Sequence, residues 1–176
     1  MSPEEKLHLR LVYSLRDLEL ANSALAFLDE LDVTARYSKI ELRRYRCFLE
    51  SAVIAYWRPF AVADGLPALG FEALGVVPTA EQQALHERLR IFRNKVVAHS
   101  DPKQMRVLLT AHKAHVDHDA QMPFLVIDEG LEFLDDRALW RGWVSILIGA
   151  LANYVFETVQ GTSSYRFEQD YLNQGQ

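Results

Sequence analysis

The chain is short of several things that would announce a function. It has one cysteine, Cys47, in 176 residues. A single thiol forms no internal disulfide and no cysteine zinc cluster. No Gly-rich phosphate loop, His-Glu-x-x-His helix or Gly-x-Ser-x-Gly elbow occurs. The start, Met1-Ser2-Pro3-Glu4-Glu5, is acidic and lacks the basic and apolar stretches of a signal peptide. The most apolar window, Trp143 to Ala152, is shorter than the ~20 residues of a spanning helix. Positive charge is also in deficit: the net charge is −5. That balance excludes a protein that coats nucleic acid or anionic membrane without discrimination. These absences predict a soluble, cytoplasmic protein without a cofactor and without membrane contact.

What is present is the material for a core. Apolar residues make up 49% of the chain and charged ones 24%, near the globular average. The length fits one domain. Ser2-Pro3-Glu4-Glu5 is a helix start, with an N-cap serine, proline at the first position and a reciprocating glutamate. Leu11, Leu15, Leu18, Asn22 and Leu25 follow at helical spacing, which predicts a helix from residue 3 to Leu31. Ser38-Lys39-Ile40-Glu41 starts a second helix, striped by Tyr45, Leu49, Ala52, Tyr56 and Phe60, with Pro59 near its end. Gly65, Pro67, Gly70, Gly75 and Pro78 make a long loop, a feature often functional.

Thr79-Ala80-Glu81-Gln82 caps a third helix. Its seam of Leu85, Leu89, Phe92, Val96 and His99 is the most regular in the chain. Ser100-Asp101-Pro102 stops it. Residues 103–133 differ in kind. Arg106 to Thr110 and Phe124 to Asp128 favour strands, which predicts a small β-hairpin-like insert. Asp135 or Asp136 then caps a fourth helix, to about Gln160. Trp140, Trp143, Ile146, Leu147, Leu151, Tyr154 and Val155 are apolar on more than one side, as in a central helix or one between subunits. The expectation is a mainly α fold: a four-helix up-down bundle over residues 1–160, the insert between helices three and four, and a polar tail at 161–176.

Chemistry concentrates at the end of helix three, in Arg93-Asn94-Lys95-Val96-Val97-Ala98-His99. On a regular helix Arg93 and His99 are ~9 Å apart along the axis and point about 120° apart. Histidine exchanges protons near neutral pH, and arginine binds phosphate bidentately. Those two functions suffice for RNA cleavage by its own 2′-hydroxyl. Asn94 is placed to orient either partner. A histidine at a helix C-terminus also has a plain role, capping carbonyls.

The seven-residue motif resembles the signature of the HEPN superfamily (higher eukaryotes and prokaryotes nucleotide-binding domain). That signature is Arg, often followed by a polar residue, with four to six residues before His; five intervene here. Its position at the end of the third helix of a bundle is also similar. The resemblance implies a homodimer that brings two motifs into one cleft. It implies a metal-independent endoribonuclease, of toxin–antitoxin, phage-defence or RNA-processing kind, with Arg93, Asn94 and His99 as catalytic residues. Other members are inactive modules that bind a protein, such as an antitoxin, or a nucleotide. The 103–133 insert departs from the minimal bundle of the family.

Charge is distributed unevenly. Residues 36–46 and 86–106 each carry net +4, while residues from Asp117 onward carry −7. If the two basic bands meet, Arg43, Arg44, Arg90 and Lys95 line a groove for RNA; otherwise they are solvated helix faces. His112, His115 and His118 are metal-ligand types. On a strand His115 points away from His112, so the reading is solvated residues near a turn, with no metal site assigned.

Overall fold

Three of the four long helices begin with the same reciprocal bond pattern. In the computed structural model, Ser2 and Glu5, Ser38 and Glu41, and Thr79 and Gln82 each exchange side-chain and backbone hydrogen bonds. Each pair satisfies two of the N–H groups that a helix start leaves open. The structure describes residues 2–63, 65–97, 107–115, 118–127 and 131–160.

The elements are α1 (Pro3–Asp29), α2 (Lys39–Trp57), α3 (Ala80–Phe92), β1 (Val107–His115), β2 (His118–Ile127) and α4 (Arg137–Val159). A 3₁₀ turn, Arg58–Phe60, follows α2, and another, Phe71–Leu74, interrupts the loop. α1 ends two residues before the expected Leu31. α2 closes at Trp57 because Pro59 has no N–H with which to continue the ladder. Gly75 ends the second 3₁₀ turn at φ +65°, a left-handed conformation that glycine adopts without strain.

The helices form an up-down bundle. Asp17 pairs with Arg58 at 3.1 Å, and Phe27 stacks on Phe48, so α1 and α2 run antiparallel. His8 meets the Tyr154 hydroxyl at 3.0 Å while Asp29 pairs with Arg137 and Arg141, so α1 and α4 do too. Arg88 pairs with Asp136, which brings the end of α3 to the start of α4. The expected stripes meet in one core, including Leu18, Leu25, Leu49, Tyr56, Leu85, Leu89, Trp140, Trp143, Leu147 and Leu151. Ile146 does not join them; it is exposed.

α4 extends the apolar character beyond the window seen in the sequence. Arg137–Thr158 is long and apolar enough to cross a membrane by length and composition alone. One stripe of it, Trp140, Trp143, Val144, Leu147 and Leu151, is buried against the other helices, while Ile146 and Phe156 are exposed.

Two local expectations fail. Asp136 stands at the cap position of α4, but its side chain makes no cap bond. The backbone there is already helical, and the carboxylate takes both ends of the Arg88 guanidinium instead. A fork of two charge-assisted bonds outweighs one bond to a backbone amide. The second failure is α3, which does not continue regularly toward His99. It ends at Phe92 and widens into a π-turn over Arg93–Val97.

The insert is an antiparallel ribbon, with Val107 opposite Ile127 and Ala111 opposite Pro123. Among the described residues its strands pack chiefly against each other. The tail at 161–176 lies outside the described residues.

The long loop is held by a residue the sequence reading passed over. Arg10, buried on α1, donates to the carbonyls of Pro67 at 2.8 Å, Ala61 at 2.6 Å and Arg58 at 3.3 Å. One guanidinium thus supplies donors to three carbonyls, of which that of Arg58 also accepts from the Ala61 N–H. The loop is thereby tied to the bundle.

Candidate functional site

The π-turn falls on the first half of the Arg-Asn-x4-His motif. Val96 and Val97 are adjacent β-branched residues, which fit a regular α-turn poorly. Both pack against the core along with the buried Phe92. An extra residue in the turn lets all three face inward. π-turns inside helices are frequent at functional sites, because they re-aim side chains without breaking the helix.

Arg93 and Asn94 are half-buried on this turn. The Arg93 Nη1 donates to Asn94 Oδ1 at 3.0 Å. The amide thus steers the guanidinium and leaves its other N–H groups for a ligand. His99 lies outside the described residues, with Ser100 and Asp101.

The two basic bands are neighbours. α2 packs against the π-turn. Arg46 lays its guanidinium 5.3 Å from the centre of the Phe92 ring, next to Arg93 in sequence. Much of the positive charge is already paired, however. Arg46 binds Glu50 at 2.8 Å and Glu132 at 2.7 Å. Arg88 binds Asp136. Arg90 grips both oxygens of Glu87, at 2.8 and 2.5 Å, and this bonding holds the Glu87 carboxyl below its usual range. Arg44 leans over the Tyr45 ring at 5.2 Å. Arg43 is on the exposed side of α2 and Lys95 on the exposed side of the π-turn. Of the expected phosphate ligands, Arg90 is therefore spoken for by an acid one turn away.

His112 and His115 end β1 and His118 opens β2. His112 is opposite Met122 and His115 opposite His118, with an irregular register between Lys113 and His115. The three histidines thus lie on the strands, and residues 116–117 between them lie outside the described residues. Among the described residues no group of three or more His, Cys, Asp or Glu is placed to hold a metal.

A second polar cluster, earlier on α3, went unnoticed in the sequence. Trp143 Nε1–H donates to Tyr56 Oη at 3.0 Å, and Tyr56 Oη lies 2.8 Å from His86 Nδ1. With its oxygen occupied by the indole, the phenol donates its proton to Nδ1, so the neutral imidazole carries its own on Nε2. The rings of Trp57, Phe60 and Phe71 stand 4.7, 4.8 and 4.9 Å from the imidazole. Burial pushes His86 down to about 4, so it is neutral at physiological pH. Burial likewise holds the Tyr56 phenol well above its ordinary value. This is a satisfied core network. Its sequence signal is slight: His86 directly follows the core residue Leu85 on an otherwise polar stretch.

No family model matches the chain, and no curated protein and no solved structure matches it either.

Proposed function

We propose that the protein is a homodimeric, cytoplasmic HEPN-type endoribonuclease that needs no metal, of the toxin–antitoxin or phage-defence kind. The observation that carries the reading is Arg93, steered by Asn94 on a π-turn at the bundle end where the basic start of α2 packs. In this reading Arg93 grips the scissile phosphate and stabilises the charge that builds on it. His99 takes the proton of the 2′-hydroxyl as its oxygen bonds to phosphorus. The bond from phosphorus to the 5′-oxygen breaks, and that oxygen leaves with a proton. The products are a cyclic phosphate and a free 5′-hydroxyl. Arg43, Arg44 and Lys95 contact flanking phosphates, while Arg90 contributes little because Glu87 neutralises it.

The test is cleavage of RNA by the full chain with a chelator present. His99→Ala and Arg93→Ala should each abolish it, and cleavage that survives both substitutions sinks the reading. One observation favours a second reading, an inactive dimeric module that binds a protein or nucleotide. Arg46, Arg88 and Arg90 are all paired with acids, which lowers the field a phosphate would meet. That reading expects clean protein without nuclease activity and a stable partner.

A further inference from the structure

Apolar stripes of α1 and α2 stay in water: Tyr13, Leu20 and Phe27 on the first, Ile40 and Ile54 on the second. Phe27 differs from the others in what surrounds it. Its ring stacks on the Phe48 ring at 4.9 Å, with 29° between the planes, and it is 46% exposed. One face is held flat by a side chain of the neighbouring helix, and the other is open to water. Phe48 is in turn met edge-on by Tyr45 at 6.4 Å, and Tyr45 by Tyr37 at 5.7 Å. The Tyr37 hydroxyl accepts from the Asp32 N–H at 2.8 Å, which ties the row of rings to the α1–α2 connection. A preset, flat aromatic face is what an unpaired nucleobase stacks on, whatever its identity. A paired base, covered on both sides in its duplex, cannot reach it.

The charges around the ring suit the same ligand. Arg44 precedes Phe48 by four residues, ~6 Å along α2 and about 40° around it, and leans over the Tyr45 ring. Arg36, Lys39 and Arg43 are exposed at the same start of α2. Arg46, on the far side of α2 from Phe48, lies against Phe92 beside the Arg93 turn. The exposed surface between those two sides carries Arg43, Cys47 and Arg44. At a helix diameter of ~10–12 Å the way across it is about 20 Å, the length of a few nucleotides. Glu30, three residues beyond Phe27 on α1, is exposed and repels phosphate. The strand's backbone is thus kept to the α2 side, and only a base reaches the ring.

We propose that Phe27, backed by Phe48, is the stacking platform for an unpaired base of single-stranded RNA, whose backbone crosses Arg43 and Arg44 toward Arg93. The proposal rests on the reading that the protein acts on RNA, and it adds a residue that selects unpaired strands. It is tested by titrating the full chain with a fluorescent single-stranded 2′-O-methyl oligonucleotide, which cannot be cleaved, at fixed salt. Phe27→Leu, which keeps an apolar contact with Phe48, should weaken binding about 10- to 100-fold. Phe27→Trp should retain it. An abasic oligonucleotide of the same length has the same charge, and the wild type and Phe27→Leu should bind it equally. Phe156→Leu, 64% exposed near the far end of α4, should change nothing. Wild type that binds no single strand, a Phe27→Leu variant that binds it normally, or one that loses the abasic chain equally would each overturn the proposal. So would a Phe27→Leu variant that dissociates a dimer without touching RNA binding. Cleavage is scored separately. If the RNA is cut, Phe27→Leu should raise KM and leave kcat unchanged. Phe27-dependent binding without cleavage counts against the ribonuclease reading alone, and cleavage indifferent to Phe27→Leu counts against this proposal alone.

Discussion

The middle of α3 and the π-turn that follows it use polar side chains in opposite ways. His86 and Arg93 are seven residues apart, about two turns, and leave a regular helix within about 20° of the same direction. His86 is walled in by Trp57, Phe60 and Phe71 and hydrogen-bonded to Tyr56, so its chemistry is spent on holding the core. Arg93 is past the aromatic layer, on a widened turn, where among the described residues its hydrogen-bond partner is the neutral Asn94 amide. A histidine can thus be the less reactive of two candidates, because burial removes the proton exchange that makes it useful. Enclosure decides this, and residue type does not.

That contrast can be broken by substitution, and the largest effect belongs to the aromatic cluster around His86. Trp143→Ala removes a fully buried indole and the donor to Tyr56, and should cost about 3–5 kcal/mol in urea unfolding. Arg93→Ala should lower RNA cleavage about 10²–10³-fold, equivalent to about 2.7–4 kcal/mol, with the melting temperature unmoved. If Arg93→Ala instead unfolds the protein, the arginine belongs to the core and the contrast fails. Tyr56→Phe comes next: it strands the indole N–H and the His86 Nδ1, for about 1–3 kcal/mol.

pH sharpens the same comparison. His86 sits at about 4 in the fold against an ordinary 6.5, so above pH 6.5 it is neutral folded and unfolded and has no effect. As pH falls from 6.5 toward 4, the unfolded chain binds a proton that the folded one refuses, and stability is lost. Discounted for the ring's partial exposure, the loss should be about 1–2 kcal/mol. His86→Asn, whose Oδ1 can accept from Tyr56, should flatten stability over that window; an unchanged slope would show that another group titrates there. The smallest effect is Arg90→Ala. An exposed pair one turn apart on a helix is worth less than about 1 kcal/mol, and its loss should leave stability nearly unchanged.

Legibility in the sequence followed locality. The three capping boxes, the stop at Pro59 and the strand segments of the insert could be read because the groups that cause them are within a few residues of one another. Asp136 was misjudged because its better partner, Arg88, is forty-eight residues away. Arg10 was missed because an arginine on an apolar helix looks like any exposed cation until three loop carbonyls converge on it. Of the candidate site, Arg93 and Asn94 were legible as types and as neighbours. The π-turn that aims them was not, since a Val-Val pair is only a weak bias until the core draws both inward.

The sequence by itself determined four amphipathic helices, their starts, a hairpin between the last two and an Arg-Asn-x4-His element at the end of the third. Those follow from periodicity and short-range hydrogen bonds. Only the tertiary structure decided which charges are free to act. It paired Arg46, Arg88 and Arg90 with acids, set a partly buried His86 among aromatics and left the α1–α2 stripes in water. Each outcome depends on groups far apart in the chain, whose desolvation and Coulomb energies exist only once the helices have packed.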